Sequence, residues 1–231
     1  MSRNDQDTAQ PAPGGPPVPG WLRDLAAAAS KMEINPLAQP PAQGGRASAV
    51  LVLFAEQASP APGAGPAATA ANRFDLLFIQ RSADLRLHAG QPAFPGGAID
   101  AADDGPVAAA LREAAEEVGV DPDGVDVVGT LPELFIPRTG FRVVPVLAWW
   151  REPCAVAPVD PAEVAAVERV SVSELADPAT RVMVRGPGGY LSPAFRVKGM
   201  LIWGFTAVLV DRLLALAGWE RPWDTAKVID L

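Results

Sequence analysis

Cysteine is all but missing from this chain. Cys154 is the one thiol among 231 residues, so no internal disulfide can form and packing alone must hold the fold. That suits a reducing compartment, and Cys154, following Pro153 at a strand end, reads as an ordinary residue. Long apolar stretches are missing too: nothing approaches the roughly 20 residues that a membrane-spanning helix needs. The first twenty residues are polar and rich in Pro and Gly, without the apolar core of a secretory leader. The closing Val228-Ile229-Asp230-Leu231 matches no address signal. A cytoplasmic protein with no membrane partner is expected.

Positive charge is also short. Lys and Arg number 19 against 27 Asp and Glu, a formal charge of −8. This argues against a nucleic-acid partner, because polyphosphate binding rests on basic side chains. A small phosphorylated ligand stays compatible, since a divalent cation and a few local arginines reverse the sign inside one cleft. Oligomeric state is not written in the sequence, and a homodimer stays open.

What is plentiful is alanine, with 25 prolines and 21 glycines, a composition that predicts irregular segments. Residues 1–20 read as a disordered tail. Helical spacing begins at Trp21, with Leu22, Leu25 and Ala29 on one side, and stops before Pro36. Arg46 to Ala55 is a short apolar run and reads as a buried strand. Residues 57–72 read as a mobile loop, and Phe74 to Gln80 as a second strand forming a hairpin with the first. Strands follow at 125–130 and 141–150, a short helix at 161–167, a strand at 169–172 and a helix cap at Ser173. Two more strands, near Val182 and Phe195, flank Gly186-Pro187-Gly188-Gly189. A helix over 203–216 ends the pattern, with Phe205, Val208, Leu209, Leu213 and Leu216 on its apolar side. The expected fold is α/β, with a mixed sheet between helices. The expected divisions are the tail, a helix over 21–36, a domain over 46–218 and an extension over 219–231.

The richest local signal lies between Asp103 and Val120. Asp104-Gly105-Pro106 is a good helix start, and Gly119 ends the helix where a left-handed residue is wanted. At about 100° per residue, Glu113, Glu116 and Glu117 share an arc of roughly 100°, opposite Val107, Leu111, Ala114 and Val118. Like charges at this spacing cost an isolated helix about 0.2–0.5 kcal/mol. Arg112 offsets part of that by pairing with Glu116. A hard divalent cation offsets more, because such oxygens suit Mg²⁺. Taken alone, an acidic face of this kind is more often plain solvated surface.

The flanking residues change that balance. Arg112-Glu113-Ala114-Ala115-Glu116-Glu117-Val118-Gly119-Val120 resembles the second half of the Nudix box, G-x5-E-x7-R-E-U-x-E-E-x-G-U, where U is aliphatic. The first half is looser: Asp103 stands where Glu is usual, and eight residues rather than seven separate it from Arg112. Asp103 and Asp104 therefore fall outside the inherited set. Upstream, Leu76-Leu77-Phe78-Ile79-Gln80-Arg81-Ser82, then Arg86, His88, Gly90-Gln91 and Phe94-Pro95-Gly96-Gly97, resemble the coenzyme A pyrophosphatases of that superfamily. Ile79 and Pro92 depart from their usual Thr and Val. Weaker echoes include Phe141 to Pro145, Asp160 to Val164 and Ile202 to Ala207.

The resemblance implies a Nudix-type α/β/α sandwich whose glutamates 113, 116 and 117 hold Mg²⁺ or Mn²⁺ in an open hollow. It implies catalytic roles for Glu113, Glu117 and Arg112, with the general base among Glu113, Glu117 and Glu163. Arg81 and Arg86 would supply positive charge to the substrate, and Gly96-Gly97 would let backbone approach a phosphate closely. His88 is a weaker candidate for substrate contact, and Glu163 also reads as a first-turn acid. The implied substrate is coenzyme A or a derivative, cleaved to 4′-phosphopantetheine and adenosine 3′,5′-bisphosphate. Two rivals remain: a Nudix hydrolase of ADP-ribose, a nucleotide sugar, a dinucleoside polyphosphate or an oxidised nucleotide, and a non-catalytic Nudix-fold sensor.

Overall fold

The computed structural model describes residues 15–34, 38–41, 43–57, 70–85, 88–186 and 188–231. In chain order the elements are α1 (Gly20–Ala29), β1 (Arg46–Glu56), β2 (Phe74–Arg81), β3 (Pro92–Ala93) and β4 (Gly96–Ala98). Then come α2 (Gly105–Val118), β5 (Val125–Thr130), β6 (Leu134–Ile136), β7 (Phe141–Trp150) and β8 (Val164–Ser171). The chain continues with α3 (Val172–Leu175), β9 (Arg181–Arg185), β10 (Leu191–Val197), β11 (Met200–Ile202), α4 (Gly204–Leu216) and β12 (Val228–Asp230).

The described residues form an eight-stranded sheet along β3-β2-β1-β7-β5, with β8 pairing β2, β4 pairing β1 and β6 pairing β7. The sheet is mixed: β1 and β7 run parallel from Arg46↔Phe141 to Phe54↔Trp149, and the other pairs are antiparallel. The central strands are apolar on both faces because both faces are covered. Strand alternation sends Val52, Phe54, Leu76, Phe78, Leu147 and Trp149 into one core with α1 and α4. It sends Ala49, Leu51, Leu53, Leu77, Ile79, Val146, Ala148 and Trp150 into a second core with Ala110, Ala114 and Val118 of α2. A fully buried Leu or Phe among them is worth about 1.5–3 kcal/mol. The result is helix, mixed sheet, helix.

Several local expectations change once partners are present. The helix read over 161–167 is a turn followed by β8, which pairs along β2 from Asp75↔Ser171 to Arg81↔Val164 and satisfies that strand's open edge. Ser171, not Ser173, caps α3, accepting from the Glu174 N–H at 3.1 Å. Helix α4 buries Thr206, Ala207, Leu209, Val210, Leu213 and Leu214 and leaves Val208 and Leu216 exposed. Its inward face is set by β10 and α1, which pack on it, rather than by its bulkiest residues. A second sheet, β11-β10-β9-β12, was not expected, and its strand β12 comes from the extension over 219–231. Residues 15–19, read from the sequence as the end of a tail, have a fixed place: Val18 packs against the core, and the Trp149 indole donates to the Pro16 carbonyl at 3.0 Å. Gly20 already opens α1, and residues 1–14 of the tail and 58–69 of the loop fall outside the described residues.

Candidate active site

Helix α2 starts and stops for local reasons. Pro106 occupies its first turn, where the missing N–H costs nothing, and Gly119 takes a left-handed φ of 76°. The N–H groups of Gly119 and Val120 then close on the carbonyls of Ala115 and Ala114. Asp104 occupies the N-cap position without a side-chain hydrogen bond. Its neighbour Asp103 is engaged instead, accepting from Arg112 Nε at 2.9 Å and Nη2 at 3.0 Å and from the Asp100 N–H at 2.8 Å. The sequence reading set Asp103 aside because the spacing to Arg112 is one residue long. The loop absorbs that residue and still delivers a carboxylate to the guanidinium, which holds the Asp103 carboxyl below the usual carboxylate range.

Arg112 is the knot of the segment. Beyond Asp103 it donates from Nη1 to Glu113 Oε1 at 3.1 Å and Glu116 Oε2 at 2.9 Å, and from Nη2 to the Ala98 carbonyl at 3.1 Å. Loop and helix are thereby tied through one planar fork, a geometry Lys could not reproduce. These carboxylates, Asp103 first, raise the arginine's own pKa.

The three glutamates do not share one open face. Glu116 is open to solvent, with 61% of its side chain exposed, Glu113 keeps 19%, and Glu117 keeps 6%. Glu117 is enclosed because β4 and the end of β2 close over it: its Oε2 accepts from the Gly96 N–H at 3.0 Å, and Arg81 Nη1 stands 3.5 Å from Oε1. Glu113 reaches the next residue of the same strand, where a β-carbon on Gly97 would lie 2.4 Å from its Oε1. The two glycines thus make room for carboxylates. Gly96 also presses on β1, where an added β-carbon would meet the Ala49 carbonyl at 2.3 Å. Burial pushes the Glu117 carboxyl up to about 7 against the lowering by the Gly96 N–H and Arg81, with Glu113 and Glu163 adding to the rise. Burial likewise raises Glu113, against the pull of Arg112.

Among the described residues no three acidic, His or Cys side chains converge closely enough to hold one ion. Arg112 holds Glu116 on the solvent side, whereas Glu113 and Glu117 turn to β4. The pair still fits a hard divalent cation by its donor chemistry. Two partly desolvated carboxylates, each raised by the other or by further acids nearby, are relieved by a positive ion.

Other expected residues sit around this pair. Arg81 ends β2 at a register shift against β8, and its backbone N–H donates to the Gln91 carbonyl at 3.1 Å. Arg86 lies outside the described residues. His88 takes a positive φ of 58°, with Nδ1 2.7 Å from Gln91 Oε1. Glu163 is exposed just before β8, and its carbonyl accepts from the Ser82 N–H at 2.9 Å, which places it beside the strand end carrying Arg81.

This arrangement is that of a Nudix-box protein. The NUDIX domain model matches residues 61–186, more than half of the chain, and the chain belongs to that family. Over 72 residues it is 58% identical to the uncharacterized Nudix hydrolase NudL of Citrobacter koseri, covering 31% of this chain and 37% of that one. It is 57% identical over 72 residues to its counterpart from Cronobacter sakazakii, again 37% of that protein's length. Among solved structures, the Nudix hydrolase RenU from M. smegmatis is 22% identical and covers 79% of this chain and 91% of that one, with a TM-score of 0.49. Nudix hydrolases generally use a divalent cation. No helix among the described residues is long and apolar enough to cross a membrane.

Proposed function

We propose that this chain is a divalent-cation-dependent hydrolase that cleaves the pyrophosphate of a nucleoside-diphosphate derivative, with coenzyme A or its derivatives as substrate. The observation that carries the reading is the meeting of Glu113 and Glu117 at adjacent glycines of β4, beside Arg81. Glu113 and Glu117 would hold Mg²⁺ or Mn²⁺, with Glu116 as the further oxygen that the Nudix resemblance assigns. The ion, when bound, neutralises phosphate charge and lowers the pKa of water. Arg112 keeps Glu113 and Glu116 oriented, and Arg81 brings positive charge beside the acidic pair. The proton from water would go to one of Glu113, Glu117 and Glu163.

The coenzyme A preference rests on the residues from Leu76 to Ser82 and from Phe94 to Gly97. The chain spans about a third of the length of the curated relatives it matches, and their name states no substrate. A cytoplasmic location is part of the same proposal. The test is incubation of the purified chain with Mg²⁺ and, separately, coenzyme A, ADP-ribose and a dinucleoside polyphosphate, with products identified by mass. Release of 4′-phosphopantetheine and adenosine 3′,5′-bisphosphate is expected. Faster turnover of ADP-ribose would move the substrate assignment. No product from any of the three, with ligand-induced stabilisation alone, would favour a sensor.

A further inference from the structure

A second surface lies on the opposite face of the sheet from α2. Trp149, Phe74 and Glu56 sit at one end of their strands, whereas Gly96 and Gly97 pair with β1 at Val50 and Ala49, near its other end. Trp149 and Phe74 also belong to the opposite core. Here Trp21, Phe74 and Trp149 wall a cavity of about 410 Å³, with Pro16, Pro17 and Pro19 along one side and the Arg73–Glu56 ion pair at its rim. The rings form one block: Trp21 and Phe74 centroids are 4.7 Å apart, and Phe74 and Trp149 meet edge-on at 5.7 Å.

The proline segment is bound to this block in a specific way. Pro19 has φ −63° and ψ 145°, the polyproline II conformation. The Pro16 carbonyl takes the Trp149 indole N–H at 3.0 Å. Proline rings against aromatic walls, with an indole donor reading a backbone carbonyl, is how polyproline II peptides are recognised. Such a ligand loses little conformational entropy on docking, because its backbone is already extended. The chain's own segment leaves the cavity beside it open.

We infer that this aromatic groove is a docking surface for a proline-rich peptide in polyproline II conformation, supplied by a partner protein in competition with the chain's own Pro16–Pro19. The occupant is fixed by chemistry: Pro19 already lies here in polyproline II conformation with the Pro16 carbonyl on the Trp149 indole, and a trans peptide meets the same rings, the same indole donor and the free volume alongside. Linkage makes the cis segment the stronger competitor, so binding to the full chain is weak and rises when that segment is weakened.

The test uses the full chain labelled with ¹⁵N and a peptide with the sequence of residues 11–19. Indole signals from the six tryptophans are followed during titration, and Trp149→Phe identifies one of them. Saturable movement of the Trp149 signal is expected, with affinity several-fold higher in the double variant Pro16→Ala, Pro17→Ala. A glycine–serine peptide of equal length should move nothing. No saturable shift in either protein, movement confined to other tryptophans, or equal affinity for both proteins would each overturn the inference.

Discussion

Gly97 stands so close to Glu113 that a β-carbon would sit 2.4 Å from the carboxylate oxygen. Backbone and side chain have been fitted to one another with nothing between them. Gly97→Ala must displace the Glu113 carboxylate, while β4 itself, a three-residue strand, can stay paired. A misplacement of about 1 Å at a reacting centre costs on the order of 100-fold in rate. Steady-state kinetics should show a loss of that size, with a melting temperature close to that of the parent. A variant retaining full activity would mean that Glu113 need not hold this position.

Glu117 makes the metal-free protein sensitive to pH. Burial raises its carboxyl from 4.5 to about 7, so the folded state keeps a proton that the unfolded chain has released. The resulting stabilisation is complete below about pH 4.5 and is lost as pH rises through about 7, on the order of 3 kcal/mol in all. In the presence of a chelator the melting temperature should fall between about pH 5 and pH 8. Glu117→Gln should flatten that fall and raise stability at the alkaline end while abolishing turnover. An unchanged slope in the variant would show that the carboxyl is not held in this state.

Arg112 binds Asp103 through two nitrogens and both neighbouring glutamates through a third. Arg112→Lys keeps the charge but cannot reproduce the fork, so the loop over 98–103 comes loose from α2. We expect kcat/KM to fall by about 100-fold, with Lys little better than Ala. Asp103→Asn should lower activity in the same direction, by less. Full activity in the lysine variant would reduce Arg112 to a simple counter-charge.

Arg181 is buried in the second sheet, with its guanidinium 5.1 Å from the Phe195 ring and 4.4 Å from the Trp223 ring. It pairs with Asp211 on α4 and lies 3.6 Å from Glu220. Helix, sheet and extension thus meet on one cation. Arg181→Ala leaves Asp211 without its partner and opens the space between two rings, which should cost about 3–5 kcal/mol in denaturant unfolding. Arg181→Met, which refills that space, should recover part of the loss.

The residues from Leu111 to Val120 determine by themselves an amphipathic helix with a glycine stop and a crowded acidic side. The apolar runs at Arg46–Ala55 and Phe141–Trp150 determine buried strands, because a run apolar on both faces needs covering on both. These signals are local, carried by spacing and backbone preference. Which carboxylate is enclosed and which is left in water was decided by the tertiary structure. Glu116 and Glu117 are neighbours in sequence, yet one faces solvent and the other faces Gly96 and Arg81, residues from different strands. The same holds for Asp103, whose partner lies nine residues on, for β8, which is a strand because β2 offers it an edge, and for Arg181, whose companions arrive from Phe195, Asp211 and Trp223. Burial and pairing depend on neighbours distant in the chain, and only the folded chain brings those neighbours together.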